Sequence, residues 1–399
     1  MENYEIIEKV CNDYLSELNS LREIYPIVIE NAQKDYDNYK KEFDNIKQKL
    51  EEQTDTKRSK KHPMPLEKRQ DYIQKEELYE IKKYALKDMP TAFILSMVAL
   101  YDYFLKTLIK TIYTLQPDLL NSIQRVITYS DLSSLVEKKE ETINAFFVEK
   151  EADMVLRENY LEQLSWFDKK IGLTLMDIFK ENKSLVFFTE LMERRNLYAH
   201  NGGYVSGYYL NQTKDWLQIK RENYTINQYL EADIDYLNNA YEILYEIGVE
   251  ISHLTWRKLL KSNLRESDRH LHNMTYKLLL LGKYRIANRL LKFACSLGKY
   301  HSDQVRRIHK INLAQSYKWL GKEDKCQEIL LQEDWTACDS SFQLAEKVLL
   351  DKFDECEELM TIAAQSGDIE KTSFIEWPLF RKFRDTAIYK EIFNKCFSS

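Results

Sequence analysis

The sequence predicts an all-α protein, and three observations lead to this prediction. The chain of 399 residues contains only 9 glycines and 6 prolines, too few for the many tight turns of a sheet protein. Leu, Ile, Lys and Glu, which are tolerated well in helices, are abundant. Apolar residues recur at steps of three and four, the period of a helix with one buried face. We therefore expect long helices distributed over two or three domains.

Composition argues against several classes of protein. The chain carries 58 basic and 64 acidic residues, a formal net charge of -6, which disfavours a general nucleic-acid coat. The acidic N-terminus lacks the apolar core of a secretory signal, and the apolar run at residues 92–100 is too short to cross a bilayer. We expect a cytoplasmic protein without membrane attachment. The cysteines have no metal or redox spacing and are predicted to be reduced, packed thiols: Cys11, Cys295, Cys326, Cys338, Cys356 and Cys396.

Residues 1–65 are predicted to form a helical arm followed by a basic linker. The linker, at residues 57–65, contains two prolines that cannot continue a helix, and it is interpreted as a loop that is either solvated or in contact with phosphate. In the arm, apolar side chains alternate steps of three and four between charged residues, which predicts a coiled coil or a helical hairpin. These side chains are Ile29, Ala32, Tyr36, Tyr39, Phe43, Ile46 and Leu50.

A helical bundle is predicted for residues 66–262. Pro90 should lie at the first turn of a helix, where proline is favoured, and Gly202 and Gly203 should end a later helix. Alternating aromatic residues at 216–226 favour a short hairpin. Further helices are expected over residues 119–127, 153–167, 171–200 and 237–254.

Residues 263–399 are predicted to form helical repeats. Three turns are each followed, five positions later, by a small side chain that would let paired helices approach closely. The turn residues are Gly282, Gly321 and Asp351, and the small residues are Ala287, Cys326 and Cys356. This region resembles tetratricopeptide-type repeats, with a generic helical bundle as the alternative. The repeats would offer a surface for a protein partner or regulator.

The segment from Glu193 to Gly203 is the strongest functional signal in the sequence. It places Arg195, Asn196 and His200 where an apolar helix meets a glycine pair. A guanidinium keeps its charge when desolvated, so an arginine on an apolar face needs a buried partner or opens into a site. Arg195 is predicted to lie on that face because it shares a helical row with Leu185, Phe188, Met192 and Ala199.

Neighbouring residues leave alternatives open. Asp102, within an apolar helix, either pairs with a cation such as Arg195 or lies on the solvent face. Arg194 fits the spacing to His200 as well as Arg195 does. Histidine exchanges protons near neutral pH, so His200 is a candidate general base or acid, and Asn196 is a candidate orienting group. The structural alternative is a histidine that interacts with the helix dipole and an arginine that bridges a carboxylate.

With these residues the chain resembles the HEPN superfamily, whose motif is an arginine, a polar residue and, after a short spacer, a histidine. The resemblance covers roughly residues 89–260, and Asp102 matches an acidic residue of the family's early helix. It implies a compact bundle that dimerises and joins two motifs into one composite, metal-independent endoribonuclease site with no cofactor. The catalytic residues would be Arg195, Asn196 and His200, supported by Asp102, Arg194 and Asn201.

The resemblance also implies a toxin or antiviral defence effector that cleaves RNA. The alternative is a non-catalytic scaffold that binds RNA or protein.

His270 and His272 could contact a metal, but two ligands in a charged connector do not make a metal site. The same connector carries a concentration of cations that could follow an RNA backbone, receive an acidic partner or simply be solvated. The candidates are Arg257, Lys258, Lys261, Arg265 and Arg269.

Overall fold

The computed structural model describes residues 2–55, 66–122, 128–136, 138–182 and 184–397, and it confirms the all-α class. Within these ranges the extended pairing consists of one isolated bridge between Tyr204 and Tyr229. The chain divides into two compact units, residues 9–248 and residues 1–8 with 249–399. This division coincides with neither of the boundaries predicted after residues 65 and 262, which stay predictions about separately folding domains.

In its described residues, the unit of residues 9–248 contains one complete long helix, large parts of two others, several short helices and a 3-10 turn at Pro117–Ser122. The long helices α1 and α10 extend past its ends. In chain order the helices are α1 Asn3–Asp55, α2 Leu66–Leu115, α3 Tyr129–Leu135, α4 Glu140–Arg157, α5 Tyr160–Ile171, α6 Leu175–Asn182, α7 Ser184–His200, α8 Gly207–Gln212, α9 Lys214–Lys220 and α10 Ile234–Leu259.

The N-terminal arm is a helical hairpin, one of the two predicted alternatives. Helix α1 runs antiparallel to α2, since Glu42 pairs with Lys75 whereas Asp35, earlier in α1, pairs with Lys82, later in α2. Phe43 stacks on Tyr79 with ring centroids 5.1 Å apart. Phe43 is buried by this contact. The predicted basic linker at residues 57–65 lies outside the described residues.

Several sequence predictions about secondary structure are wrong, and each error has a physical cause. Helix α2 does not begin at Pro90 but continues through it, because the apolar residues that follow are buried and offset the roughly 3 kcal/mol cost of an internal proline. Residues 216–226 do not form a hairpin, since Trp216 lies in α9 and packs on Phe187 at 4.8 Å. The predicted helix over 171–200 is instead the last residue of α5 followed by α6 and α7, and Gly172 adopts a left-handed conformation that ends α5. The predicted helix over 153–167 is likewise divided between α4 and α5, where the Asn159 side chain caps the start of α5.

A segment of α2, Arg69–Leu115, is long and apolar enough by composition to cross a membrane, although the sequence run at 92–100 alone is not. Core helices meet the same criterion, so a single such helix is weak evidence of a membrane span. Many of its apolar side chains are buried in the unit of residues 9–248, whereas Ile73, Ile81, Tyr84 and Tyr103 are exposed. The buried ones include Ile94, Met97, Val98, Tyr101, Phe104, Leu105, Leu108, Ile109 and Ile112.

Helix α10 touches α1 at a position that requires glycine. Gly248 faces the ring of Tyr14, and a Cβ at this position would overlap that ring. The Tyr14 hydroxyl donates to the carbonyl oxygen of Leu244 at 3.0 Å, which fixes the ring against α10. The two helices can therefore approach closely only because one of them lacks a side chain at the crossing.

The unit that contains residues 249–399 is a succession of short helices joined by tight turns. The predicted turn residues Gly282, Gly321 and Asp351 all have positive φ, and the small residues five positions after each are buried. The turns are confirmed, and the likeness to tetratricopeptide repeats stays a prediction. The helices are α11 Leu264–Leu280, α12 Tyr284–Ser296, α13 Asp303–Trp319, α14 Glu323–Leu330, α15 Ser340–Leu349, α16 Glu357–Ser366, α17 Lys371–Glu376 and α18 Ala387–Phe397, with 3-10 turns at Lys261–Asn263, Phe353–Glu355, Pro378–Phe380 and Phe383–Asp385.

The segment predicted to be a charged connector is a packed helix with histidines on its buried face. The Nδ1 atom of His270 lies 3.1 Å from Nε2 of His253, whose Nδ1 atom lies 3.1 Å from the Ser267 hydroxyl. His309 is also buried, and both of its ring nitrogens lack a hydrogen-bond partner among the described residues. Burial lowers the pKa of His270 to about 4 and that of His309 to about 3. These histidines are therefore neutral inside the fold at neutral pH.

We predict that acidification destabilises the protein through these histidines. Below pH about 6.5 an unfolded histidine binds a proton, whereas the folded His309 stays neutral. The free energy of unfolding therefore decreases as the pH is lowered, until the pH reaches the pKa of the folded state. Between pH 7 and 5 this amounts to about 2 kcal/mol for His309. Denaturant unfolding at both pH values gives the slope of the free energy of unfolding against pH for wild type and for His309→Leu. The difference between these two slopes measures the contribution of His309.

The control is His301→Gln, since His301 is exposed and its replacement leaves the buried imidazole of His309 in place. An unchanged slope in His309→Leu would contradict the assignment of a buried, neutral imidazole.

Candidate functional site

The adjacent arginines of α7 have different environments, and this resolves the ambiguity in the motif. The Arg194 side chain is 5% exposed and donates from Nε to Glu190 at 2.7 Å and from Nη1 to the Glu231 carbonyl at 3.1 Å. Its guanidinium also lies over the ring of Tyr236, 4.2 Å from the centroid. With these partners, Arg194 holds α7 in place and is not available to a substrate.

Glu190 is the centre of this buried network. Its carboxylate is fully buried and accepts hydrogen bonds from the Tyr209 hydroxyl at 2.7 Å and the Tyr236 hydroxyl at 2.8 Å, in addition to Arg194. The network connects α7 to α8 and α10. These hydrogen bonds fix the rotation of α7 about its axis. They thereby also set the direction of the side chain of Arg195, which directly follows Arg194.

Arg195 lies on a different side of α7, against α2. Its Nη2 atom is 3.6 Å from Oδ2 of Asp102, and its side chain is 26% exposed. Nη1 donates to the side chain of Asn196 at 3.2 Å. Of the two alternatives for Asp102, the structure shows the pairing with Arg195. Arg195, predicted to lie on the apolar face, packs against α2 but stays partly exposed, and Arg194 is the more deeply buried of the two because α7 is packed on two sides.

Asp102 is an unusual carboxylate. Burial raises its pKa to about 6, and the nearby charge of Arg195 opposes that shift. Its Oδ1 atom is buried without a hydrogen-bond partner in the described parts of the chain. The same two charges act on the hydroxyl of Tyr160. Burial is the largest cause of the raised pKa of Tyr160, Asp102 raises this pKa further, and Arg195 lowers it. The site therefore combines a constant positive charge with a carboxyl that titrates near neutral pH.

His200 ends the same helix and is exposed to solvent. Helix α7 is regular up to this residue, so the chain does not unwind before it. Residues five apart on a helix are rotated by about 140°, and no hydrogen bond or ion pair joins His200 to Arg195 within the described residues. Asn196 contacts Arg195 and hydrogen-bonds Glu193, which opposes the burial-raised pKa of that glutamate. A single chain thus brings together Arg195, Asn196 and Asp102 but not His200.

The turn after His200 is fixed by glycine and by aromatic contacts. Gly203 has a φ of 82°, and a Cβ there would lie 2.5 Å from the ring of Tyr229. The Asn201 side chain donates to the Tyr204 carbonyl, and the Tyr204 and Tyr229 rings meet edge to face at 5.5 Å. Asn201 therefore supports the turn and does not point toward Arg195 through any described contact.

A cation lies beside this turn. The Lys87 ammonium is 3.6 Å from the centre of the Tyr229 ring and 5.8 Å from that of Tyr204. Tyr204 is 45% exposed and Tyr208, four residues further on, is 62% exposed. The surface next to His200 thus combines exposed aromatic rings with a positive charge.

The predicted basic track needs one correction. Arg257 is largely buried, pairs with the buried Asp268 and donates to the Lys299 carbonyl, so it is a structural residue of the C-terminal unit. The remaining candidates are exposed and stay predictions for a phosphate contact: Lys258, Lys261, Arg265 and Arg269.

Sequence reasoning missed several residues of the site. The spacing of four between Glu190 and Arg194 was a usable signal, because such a pair meets on one helical face. Tyr160, Lys87 and Tyr229 lie far from the motif in sequence, and no pattern near the motif identifies them.

We predict that the pKa of Asp102 depends on Arg195. In the wild type the Asp102 carboxyl should titrate near pH 6, and in Arg195→Met it should titrate at a higher pH because the stabilising cation is lost. Carboxyl ¹³C chemical shifts followed against pH measure both values.

Asp131 is the internal control. Lys150 and Thr128 lower its pKa to about 2, and this value should be the same in both proteins. A titration of Asp102 near its ordinary value in the wild type, or a decrease in the variant, would show that the carboxyl is not in the environment described above.

No family model, curated protein or solved structure matches this chain. The resemblance to the HEPN superfamily therefore depends on the motif residues themselves and on the environment that the fold gives them.

Proposed function

We propose that the protein is a metal-independent endoribonuclease of the HEPN type. The observation that carries the proposal is the position of Arg195: a partly exposed guanidinium held by Asp102, on a helix that ends at the exposed His200. An arginine used only for packing would have its donors satisfied internally, as those of Arg194 are. Arg195 instead retains donors that can reach a phosphate.

The proposed reaction uses these two groups without a metal. The His200 imidazole accepts the proton of a ribose 2'-OH while the 2'-oxygen forms a bond to phosphorus and the 5'-oxygen leaves. A proton from a general acid, a second imidazole or water, completes the leaving hydroxyl. Arg195 donates to the phosphoryl oxygens as negative charge grows on them, and Asn196 holds the guanidinium. The products are a 2',3'-cyclic phosphate and a 5'-hydroxyl end.

RNA binding is supported by the surface around the turn after His200. Exposed aromatic rings stack on unpaired bases, and a cation attracts the backbone. Tyr204 and Tyr208 provide the exposed rings shortly after His200 in the chain, and Lys87 provides the cation beside the Tyr204 ring. This arrangement favours single-stranded RNA, whose bases are free to stack.

The active species is proposed to be a homodimer. Within one chain, Arg195 and His200 point in different directions from a rigid helix, so a second copy is the simplest source of the missing partner. A two-fold arrangement of α7 would place Arg195 of one protomer beside His200 of the other. The separation within one chain equally favours the alternative function, a non-catalytic scaffold that binds RNA or protein.

The biological role follows from the resemblance alone. We propose a toxin or antiviral defence effector that acts in the cytoplasm and is controlled by a partner or regulator at the C-terminal repeats. The four exposed cations of the predicted basic track would then add backbone contacts for a longer RNA.

We predict that the purified protein cleaves single-stranded RNA in the presence of EDTA. His200→Ala and Arg195→Ala should each reduce the rate by 100-fold or more, because they remove the proton acceptor and the charge stabilisation. Gel analysis of a labelled RNA measures the rate, and the ends of the products identify the cyclic phosphate.

The matched controls are His301→Ala and Arg157→Ala, an exposed histidine and an exposed arginine remote in sequence from the motif. Undiminished cleavage by both motif variants would show that Arg195 and His200 do not carry the reaction, and no cleavage by the wild type would favour the scaffold.

We predict that the two inactive variants restore activity when they are mixed. If each site takes Arg195 from one protomer and His200 from the other, a heterodimer of His200→Ala and Arg195→Ala contains one intact site. Activity should rise toward about one quarter of the wild-type value after random exchange of subunits, since half of the dimers are mixed and each has one of two sites. Mixing followed by the cleavage assay measures this.

The double variant mixed with wild type serves as the control for subunit exchange. A mixture of the single variants that stays inactive despite demonstrated exchange would mean that each site is built from one chain.

A further inference from the structure

The unit that contains residues 249–399 encloses a pocket that no predicted function uses. Its volume is about 330 Å³, within the range of small-ligand sites. Its walls come from α11, α13, α15 and the segment that ends at Trp377. The pocket does not include any of the motif residues of α7.

Two polar side chains of the pocket have hydrogen-bonding capacity that the fold leaves unused. Asn312 is 1% exposed, and its Oδ1 atom has no donor among the described residues. The Nδ1 atom of His272 is likewise buried without a partner. A buried polar atom without a partner costs about 1 to 3 kcal/mol, so two of them in one pocket favour a ligand that supplies the missing bonds.

The aromatic walls are held in fixed orientations. Trp377 donates its indole N–H to Oε1 of Gln315 at 3.0 Å, so its ring is anchored and has no donor left. Tyr276 stacks on His272 with centroids 5.9 Å apart, and Phe342 stacks on Trp335 at 6.1 Å. Rigid rings of this kind favour a flat ligand, because stacking on them costs little conformational freedom.

The charges of the pocket narrow the choice of ligand. Asp368 is the only charged side chain among its described lining residues, and burial lowers the pKa of His272, which keeps that ring neutral. None of these described lining residues is a cation that could hold a phosphate or a carboxylate. The ligand is therefore neutral or weakly basic, flat, and a hydrogen-bond donor to Asn312.

We propose that this pocket binds a nucleobase that carries an exocyclic amino group, as a free nucleoside or as one base of a nucleotide whose phosphates stay outside. The amino group donates to Oδ1 of Asn312, and the heterocycle stacks on the aromatic walls. Nδ1 of His272 bonds a ring nitrogen or a second donor. The proposal does not depend on nuclease activity at α7.

The experiment compares nucleosides that differ by the amino group. Isothermal titration of the full-length protein uses adenosine against purine riboside, which lacks only the amino group, and cytidine against uridine. We expect at least one amino-bearing nucleoside to bind ten-fold or more tightly than its partner, because the loss of one hydrogen bond to a buried acceptor has about this effect. Equal affinities within both pairs, or no binding of all four at millimolar concentration, would overturn the proposal.

Two variants locate the effect in the pocket. Asn312→Leu keeps the side-chain volume and removes the acceptor, so it should abolish the preference for the amino-bearing nucleoside. Asn273→Leu, an exposed position on the same helix as His272, should retain it. A preference that survives in a folded Asn312→Leu protein contradicts the proposed contact, and the wild-type comparison stands if that variant does not fold.

Agmatine is the final compound tested in the binding experiment, because its guanidinium is also flat and rich in hydrogen-bond donors. Tighter binding of agmatine than of every nucleoside would identify a basic side chain as the occupant and overturn the nucleobase assignment.

Discussion

The burial of the Glu190 carboxylate is the constraint on which the candidate site depends. A charged group enters a protein interior at a high desolvation cost unless several donors compensate it, and Glu190 has three: Arg194, Tyr209 and Tyr236. These donors come from α7, α8 and α10, so the three helices are fixed to one another by a single carboxylate. The rotation of α7 that results turns Arg195 toward α2 and leaves the end of the helix in solvent.

The neighbouring arginines show how burial separates structure from chemistry on one helix. Arg194 exchanges nearly all of its contact with water for internal partners, and removal of Glu190 would leave a buried charge uncompensated. Arg195 has one carboxylate partner at 3.6 Å, and that carboxylate has a pKa of about 6. In the proposed function, Arg195 exchanges this ion pair for a phosphate, which binds a guanidinium through charge-assisted hydrogen bonds.

Local features were predictable from sequence, and tertiary ones were not. Turn positions such as Gly282 and Asp351 are predictable because positive φ restricts the residue type, and because a small residue follows each turn five positions later. Pro90 was assigned to a helix start because local cost argues for it, whereas burial of the residues around it decides the outcome. The motif could be found, but not which arginine is accessible, because periodicity counts apolar residues and α7 is packed on two sides. The contact between His253 and His270 has no local signal at all.

The glycines at two close contacts limit how this protein can evolve. At position 248 any side chain would collide with Tyr14, and at position 203 the backbone conformation and the Tyr229 ring both exclude one. Gly207 and Gly298 have open space around them. Purifying selection should therefore retain Gly248 and Gly203 in descendant lineages, whereas Gly207 and Gly298 can drift. A substitution of Gly248 should be inherited only together with a smaller residue in place of Tyr14.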